Sequence, residues 1–298
     1  MKKGILFTHY VWIINTIYNA RRISLEDLNE RWCATDMSDG HPFSRASFYR
    51  HKESIQNMLG INILCDTTDD YRYYIEDRTV LRSDGIMRWV LDSISVGCII
   101  SEARALHDRI STERISYNPD ALRTIIDAMG RSHTVTLNYR RYGADAREHT
   151  VEPYSIKFYR HRPYLLGHRD GGRFTVFALD RMQDIHVTEE SFHQDDDFDT
   201  EIFFRNYFGV IISSGQECQR IVLRAYGWER HSMRDLPMHC TQRTLHVGED
   251  YVDYEILTCP TSDLLGYILS RGRWLKVLSP QGVIDSIKSE LNSAIMQY

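Results

Sequence analysis

The sequence predicts an α+β protein made of four consecutive parts, and three observations support that fold class. Three stretches with helical spacing are followed by two short strand-like runs near the N-terminus. Between Thr134 and Met182, four short runs alternate apolar and polar residues and are separated by glycine-bearing turns, which is typical of short strands. The final third shows a strand, helix, strand, strand, helix, strand order. These patterns predict a winged helix-turn-helix over residues 1–80, a helical linker over 81–132, a small β-barrel or sandwich over 133–192 and a ferredoxin-like α/β module over 193–298.

The composition is that of an ordinary globular protein. Its 298 residues suit two or three domains, and the hydrophobic and charged fractions are 42% and 26%. No apolar run approaches the roughly 20 residues of a membrane span. The N-terminal segment starts with lysines and apolar residues, as a secretion signal does, but His9, Tyr10 and Trp12 interrupt the apolar run and no small-residue cleavage site follows. We therefore expect a cytoplasmic protein without a membrane partner.

Capping patterns define the helices of the first part. Ser24 can cap the second helix, since an acidic residue stands three positions further on. Ser44 can cap a third helix that ends at Gly60. Strand-like runs over 61–65 and 71–76 follow, joined by an acidic turn. Three helices and then a hairpin is the order of a winged helix-turn-helix.

The third helix carries the features of a DNA recognition helix. Phe48, Ile55 and Leu59 fall on one face and are expected in the core. Small, hydroxylated and cationic side chains lie near the helix start, where docking into the major groove places them against phosphates and base edges. The alternative is a solvated face in a domain of zero net charge. The predicted DNA-contacting residues are Ser44, Arg45, Ser47, Tyr49, Arg50 and Lys52.

Two further segments connect the predicted modules. Residues 83–132 have helical patterns, and their apolar faces could form a dimer interface or pack only within their own chain. Residues 189–201 hold seven acids and no basic residue, a composition typical of a solvated linker. The last segment then begins with a strand over 219–226 and closes with an amphipathic helix after Pro280.

The segment from Thr134 to Met182 is basic and rich in aromatic residues. It holds nine Arg and Lys against five Asp and Glu, a local net charge of +4 in a chain whose net charge is −5. The period of a strand places Arg162, Tyr164, Leu166 and His168 on one face. Rings beside guanidinium groups hold bases and phosphates.

We therefore predict a ligand site formed by Arg162, Tyr164, His168 and, at the end of the next strand, Arg181. The alternative is that Tyr164 and Leu166 belong to the core while the arginines coat the surface. For Leu166 we prefer the core assignment.

Sequence motifs for catalysis or for a resident cofactor are absent. The chain has no GxGxxG, GxxxxGK[ST], GxSxG or HExxH motif. The six cysteines include no CxxC pair, and the histidines are scattered without metal-ligand spacing. We expect no enzyme activity, no cofactor and no metal site.

The segments LNYRRYG, VEPYSI and PYLLGHRDGGRFTVFALDRM, in this order and after a helix-turn-helix pattern, resemble those of the bacterial WYL-domain transcriptional regulators. The resemblance extends through the last module, which is similar to the C-terminal extension of that family. It implies a promoter-binding winged helix, an Sm-like (SH3-type) five-stranded barrel that senses single-stranded DNA or a nucleotide-like ligand, and a homodimer. The assignments of Tyr164 and Arg181 carry over directly, whereas Arg162 and His168 are inferred from the strand face.

The chain departs from the family at its name-giving motif. Pro163 stands where the family has Trp, and Tyr164 and Leu165 complete the motif. Strand alternation points residue 163 away from Tyr164, so the ligand face can survive. Proline also lacks the amide donor of a β-ladder, which predicts an edge or bulge position.

These observations predict a ligand-responsive, DNA-binding transcriptional regulator, autoregulatory or linked to defence or stress. Its expected partners are an operator in double-stranded DNA, a nucleic-acid or nucleotide-like ligand and a second copy of the chain. One alternative is a single-strand nucleic-acid-binding accessory protein without promoter specificity. Another is a metabolite-binding protein without a DNA role.

Overall fold

A computed structural model describes residues 3–82, 85–102, 108–111, 118–169, 172–213 and 217–298. The chain divides into two compact units, residues 1–113 and residues 114–298. Both contain helices and β-sheets, so the predicted mixed α and β architecture is confirmed. None of the helices within those ranges combines the length and the apolar character needed to cross a membrane.

The first unit follows the predicted order of three helices and a hairpin. A fourth helix lies in the region predicted as a linker, of which residues 83–84, 103–107 and 112–117 lie outside the described part. The elements are α1 (Lys3–Ala20), α2 (Leu25–Cys33), α3 (Arg45–Leu59), β1 (Ile63–Asp66), β2 (Arg72–Ile75) and α4 (Ile86–Glu102).

Local capping explains where these helices begin and end. The Ser24 hydroxyl accepts a hydrogen bond from the Asp27 amide at 3.0 Å, and the Ser44 hydroxyl accepts one from the Ser47 amide at 3.1 Å. Both bonds satisfy an amide that the first helical turn leaves without a partner. Gly60 ends α3 with φ of 65°, a conformation that glycine adopts without steric cost. The predicted caps are confirmed.

The core of the first unit joins all its elements. Ile13 and Ile17 of α1, Leu28 of α2, and Phe48 and Ile55 of α3 are fully buried in one cluster. Burial of Phe48 and Ile55 confirms the inner face predicted for the third helix. The opposite face of α3 is consequently turned to solvent.

The second unit begins with helix α5 and a five-stranded antiparallel sheet. The sheet order is β6-β5-β4-β3-β7. Within the described residues no ladder joins β6 to β7, so the predicted closed barrel is not found and the sheet is open. A short 3-10 helix, Leu179–Arg181, leads the chain from β6 to β7, which pairs with β3. The bounds are α5 (Pro119–Arg131), β3 (His133–Arg140), β4 (Ala146–Tyr159), β5 (Arg162–Arg169), β6 (Arg173–Ala178) and β7 (Met182–Ser191).

Helix α5 packs on this sheet, although its sequence was assigned to the helical linker. Ile125 and Ala128 are buried in the same cluster as Val135, Leu137 and the other inward residues of the strands. The helix has a narrow apolar stripe that covers one face of the sheet. It is therefore part of the sheet module.

The acidic segment after β7 is also structured, which corrects the expectation of a solvated linker. Asp199 caps helix α6 (Thr200–Arg205) by accepting a hydrogen bond from the Ile202 amide at 2.8 Å. The Phe192 and Phe198 rings lie 5.9 and 5.0 Å from the ring of Tyr154 on β4. The aromatic residues between the acids thus anchor the segment, because their ring contacts contribute more free energy than the exposed acids need to stay solvated.

The last part forms a four-stranded antiparallel sheet in the order β11-β8-β10-β9, with helices α7 to α9. The predicted β-α-β-β-α-β order with a final helix is observed. Ile221 and Leu223 of β8 and Tyr254 and Ile256 of β10 are buried in its core. The bounds are β8 (Gln219–Tyr226), α7 (Glu229–Asp235), β9 (Arg243–Val247), β10 (Tyr251–Thr258), α8 (Ser262–Ser270), β11 (Leu275–Ser279) and α9 (Gln281–Ile295).

Candidate functional site

The predicted ligand face borders a cavity of about 500 Å³ between the five-stranded sheet and a loop of the C-terminal part. The sheet side supplies arginines and tyrosines, and the loop side supplies aliphatic residues. A cavity with an apolar wall and a few convergent polar groups is typical of a small-molecule site. Its lining residues are Tyr139, Tyr142, Arg162, Tyr164, Phe174, Thr175, Val176, Ala178, Arg181, Val210, Ile211, Ile212 and Asp263.

A tight two-residue turn brings Arg162 and Tyr164 to this cavity. Arg160 and His161 connect β4 to β5 with φ of 48° and 59°, values that glycine or asparagine normally supply. Tyr159 then pairs with Arg162, and Lys157 pairs with Tyr164. The register of the hairpin therefore sets the positions of both predicted ligand residues.

Arg162 already has an anionic partner. Its Nη2 donates to both carboxylate oxygens of Asp180 at 2.7 Å. This hydrogen bonding raises the pKa of Arg162 above its ordinary value. The positive charge of Arg162 is largely compensated, so its attraction for a ligand anion is weaker than the sequence alone implies.

Arg181 has a different environment. Its Nε and Nη2 donate to the Arg140 carbonyl oxygen at 2.9 and 2.6 Å, and its guanidinium carbon lies 3.8 Å from the centroid of the Tyr142 ring. None of the ion pairs found across the described ranges includes Arg181. A neutral carbonyl and a ring thus orient a cation whose charge remains for a ligand.

Tyr164 lies at the ligand cavity, whereas Leu166 lies in the core. Tyr164 is half-buried and lines the cavity, and burial raises the pKa of its phenol above the ordinary value. Leu166 is fully buried, which confirms its assignment to the core.

Pro163 lies beyond the last pair between β5 and β6, where β5 has a neighbour on one side only. That position needs no amide donor toward β6.

His168 shares the strand face but does not line the cavity. Its Nδ1 lies 2.6 Å from Glu152 Oε2, and its ring centroid lies 5.0 Å from that of Phe174, which does line the cavity. The structure therefore brings Arg162, Tyr164 and Arg181 together and leaves His168 in the neighbouring aromatic cluster.

A second concavity of about 530 Å³ adjoins the first. It is formed by the turn between β3 and β4 and shares Tyr142 and Arg181 with the first cavity. Arg140 and Arg141 add two further cations, and Asp145 and Asp180 add two acids. Arg181 thus borders both the aromatic and aliphatic cavity and the arginine-rich one. A ligand that combines a ring with an anionic group could contact one cavity with each part.

Several residues that line the two cavities are not among the predicted ligand residues. Tyr142 follows Arg140 and Arg141 in the LNYRRYG segment, and Asp180 precedes Arg181 in the FALDRM segment, so the sequence motifs pointed to the neighbourhood of both. No motif pointed to Val210, Ile211 or Asp263, because only the folded chain places them opposite β5.

The predicted DNA-contacting residues lie together on α3 or at its cap in the first unit. Arg45, Tyr49 and Arg50 are exposed, and Tyr49 retains 44% of its accessible surface. The Lys52 ammonium lies 5.4 Å from the centroid of the Tyr49 ring. Ser44 and Ser47 are engaged locally, since Ser44 caps the helix and the Ser47 hydroxyl lies 3.4 Å from a ring nitrogen of His51.

Fold and site together define a mixed α and β protein with a basic, aromatic cavity on an antiparallel sheet. Residues 120–187 match the family model of the WYL domain, which confirms the resemblance for this part of the chain. The match begins in α5, in agreement with the packing of that helix on the sheet. No curated protein matches the sequence.

Two solved structures are similar to this chain. One is proteasome accessory factor B/C of Arthrobacter aurescens, with 17% identity and a TM-score of 0.36; the match covers 94% of this chain and 45% of that one. The chain thus spans less than half the length of that protein. The other is described as a CRISPR Cas-related protein, with 10% identity and a TM-score of 0.42 over 99% of this chain and 85% of that one.

Proposed function

We propose that this protein is a ligand-responsive, DNA-binding transcriptional regulator. The observation that carries the proposal is the environment of Arg181 in a matched WYL domain: a stacked cation without an ion pair in the described residues, between two adjoining concavities. The proposed ligand is a single-stranded nucleic acid or a nucleotide-like molecule. A base would contact the aromatic and aliphatic cavity, and a phosphate would contact Arg181 and the neighbouring arginines.

The first unit is proposed to act as a winged helix-turn-helix. The exposed side chains of Arg45, Tyr49 and Arg50 support major-groove contact by α3, and the β1–β2 hairpin occupies the place of the wing in the element order. The open five-stranded sheet would serve as the Sm-like sensory module. We propose a cytoplasmic homodimer without enzymatic activity, whose operator half-sites lie one or more helical turns of roughly 34–36 Å apart.

Regulation requires linkage between the two sites. A ligand must bind one arrangement of the dimer more tightly than another, and this difference would change the spacing of the two recognition helices. A net charge of −5 does not oppose DNA binding, because local basic patches determine phosphate contacts.

Sequencing of DNA fragments bound to the purified protein, with and without short single-stranded oligonucleotides, tests this function. We expect one enriched duplex sequence whose occupancy changes when the oligonucleotide is added. A footprint on the upstream region of its own gene would support autoregulation, and a footprint at defence or stress genes would support that circuit. Length-dependent single-strand binding without duplex specificity would instead support an accessory protein.

A further inference from the structure

Residues 208–212, here called the strap, form the wall of the ligand cavity that faces the sheet. The strap connects α6 to the C-terminal sheet. Val210 is buried, with 7% of its surface accessible, whereas Ile211 retains 44%. Val210, Ile211 and Ile212 line the cavity opposite Tyr164 and Arg181. The cavity is therefore incomplete without a segment that lies outside the matched WYL domain.

Asp263 holds the strap from the C-terminal side. Its Oδ2 accepts hydrogen bonds from the amides of Val210 and Ile211, each at 2.9 Å. Asp263 lies in the first turn of α8, where the positive end of the helix dipole favours a carboxylate. One side chain thus satisfies two successive amides of a loop that pairs with no strand among the described residues.

Gly209 is required by the closeness of this contact. A Cβ atom at position 209 would lie 2.7 Å from the carboxyl carbon of Asp263 and closer still to its Oδ2. Any larger residue must displace either the strap or the carboxylate. The strap and Asp263 are therefore so closely packed that even one added methyl group at position 209 would displace one of them.

Lys157 holds the strap from the sheet side. Its ammonium donates to the Gly209 carbonyl oxygen at 2.9 Å and lies 4.3 Å from the centroid of the Phe204 ring. Lys157 is the β4 partner of Tyr164, so the same ladder that positions Tyr164 also positions the contact with the strap.

We propose that Lys157, Gly209 and Asp263 are positioning residues of the ligand site, which keep the strap against the cavity so that the C-terminal module completes the sensor. The proposal rests on the proposed function of the cavity. By reciprocity, a ligand that contacts the strap must strengthen the contacts that hold it. Ligand occupancy is thereby coupled to the C-terminal module.

Hydrogen exchange of the full-length protein tests the strap contacts without any ligand. In the Asp263→Ala variant, we expect the Val210 and Ile211 amides to exchange at least about tenfold faster than in the wild type. The Asp263→Asn variant should retain most of the protection, because its amide oxygen can still accept both bonds. Unchanged exchange in Asp263→Ala would overturn the proposal.

Binding of a short 5′-phosphorylated oligothymidylate, followed by fluorescence anisotropy, tests the role of the strap in the site. Gly209→Ala should weaken binding by a factor of about ten, since the wall must be reordered upon binding. Gly266→Ala is the matched control: its added Cβ on α8 meets no atom within 4 Å, and binding should not change. If Gly209→Ala does not fold, as judged by circular dichroism, Asp263→Ala provides the same comparison.

The outcomes separate this inference from the proposed function. If the wild type binds the oligonucleotide and both Gly209→Ala and Asp263→Ala bind it equally well, the strap is not part of the site and only the inference is overturned. If the wild type does not bind, the proposed ligand class is wrong and the inference falls with it. Weaker binding by Gly209→Ala and Asp263→Ala, with Asp263→Asn binding no more weakly than the wild type, supports both.

Discussion

The guanidinium carbon of Arg181 lies 3.8 Å from the centroid of the Tyr142 ring, while the Arg140 carbonyl oxygen accepts hydrogen bonds from two of the Arg181 nitrogens. This arrangement fixes the plane of the guanidinium before any ligand arrives. Because the contacts are a ring and a neutral carbonyl, the positive charge is oriented without being compensated. Under the proposed function, Arg181 is therefore the residue whose removal should weaken ligand binding most directly.

Arg181→Ala should weaken binding of a short single-stranded oligonucleotide roughly 10- to 100-fold, the effect of losing a hydrogen bond from a charged group worth about 1.5–3 kcal/mol. Arg173→Ala removes the same charge from the end of β6, outside both concavities, and should change affinity by less than about twofold. Titration by fluorescence anisotropy measures both. Equal losses for the two variants would assign the effect to net charge alone.

Asp180→Asn should strengthen binding of the same oligonucleotide severalfold. The substitution removes the carboxylate that compensates Arg162 at 2.7 Å and thereby adds one positive charge to the cavity lining. Asp184→Asn, a change of the same kind on β7 beyond the lining, is the control. Weaker binding by Asp180→Asn would mean that Asp180 serves chiefly to position Arg162.

Arg45→Ala combined with Arg50→Ala should abolish specific duplex binding and reduce the dependence of affinity on salt, because each cation that contacts a phosphate releases counterions. The fold should persist, since both side chains are exposed. Arg123→Ala with Arg131→Ala, whose side chains are 83% and 65% exposed on α5, removes the same charge elsewhere. Electrophoretic mobility shifts at several salt concentrations measure the difference. An unchanged affinity and salt slope in Arg45→Ala/Arg50→Ala would exclude α3 as the recognition helix.

Lys157 should make stability depend on pH in the alkaline range. Burial lowers its pKa from the ordinary 10.5 to about 8. Between these values the unfolded chain binds more protons than the folded one, so the free energy of unfolding contributed by this group rises as the pH increases from about 8 to 10.5. The rise should amount to about 1 kcal/mol after allowance for solvent screening of the half-buried side chain.

The Lys157→Met variant isolates this contribution. Urea unfolding of the wild type and the variant at pH 7 and pH 10 measures how far their difference in stability changes; tyrosine titration is common to both proteins and cancels. If the difference is the same at the two pH values, the ammonium is not desolvated as the structure indicates.

Tyr154 should anchor the acidic segment that follows β7. It is buried, and its ring contacts those of Phe174, Phe192 and Phe198. Tyr154→Ala should lower the free energy of unfolding by about 3 kcal/mol, as for other large-to-small aromatic substitutions in a core. Phe158→Ala removes a ring that is 41% exposed on the same strand and should have a much smaller effect. Limited proteolysis should cleave residues 192–203 faster in Tyr154→Ala; resistance equal to that of the wild type would assign the anchoring to other contacts.

The sequence by itself determined most of the secondary structure and the WYL resemblance. Helix caps depend only on residues three or four positions apart, so the sequence alone predicts them. Ser24, Ser44 and Gly60 are examples. Alternation along β5 similarly placed Arg162 and Tyr164 on one face and assigned Leu166 to the core. The motifs from LNYRRYG to FALDRM then identified the domain that the family model matches.

Only the tertiary structure decided which groups meet. Asp180 compensates Arg162, the strap faces Tyr164, and His168 contacts Glu152 and Phe174 without lining the cavity. The solvated linker expected for the acidic segment was wrong for the same reason, since Phe192 and Phe198 are half-buried against Tyr154 of β4. Such contacts join residues far apart along the chain. Their geometry depends on strand register and on packing between modules, and local propensity contains no information about either.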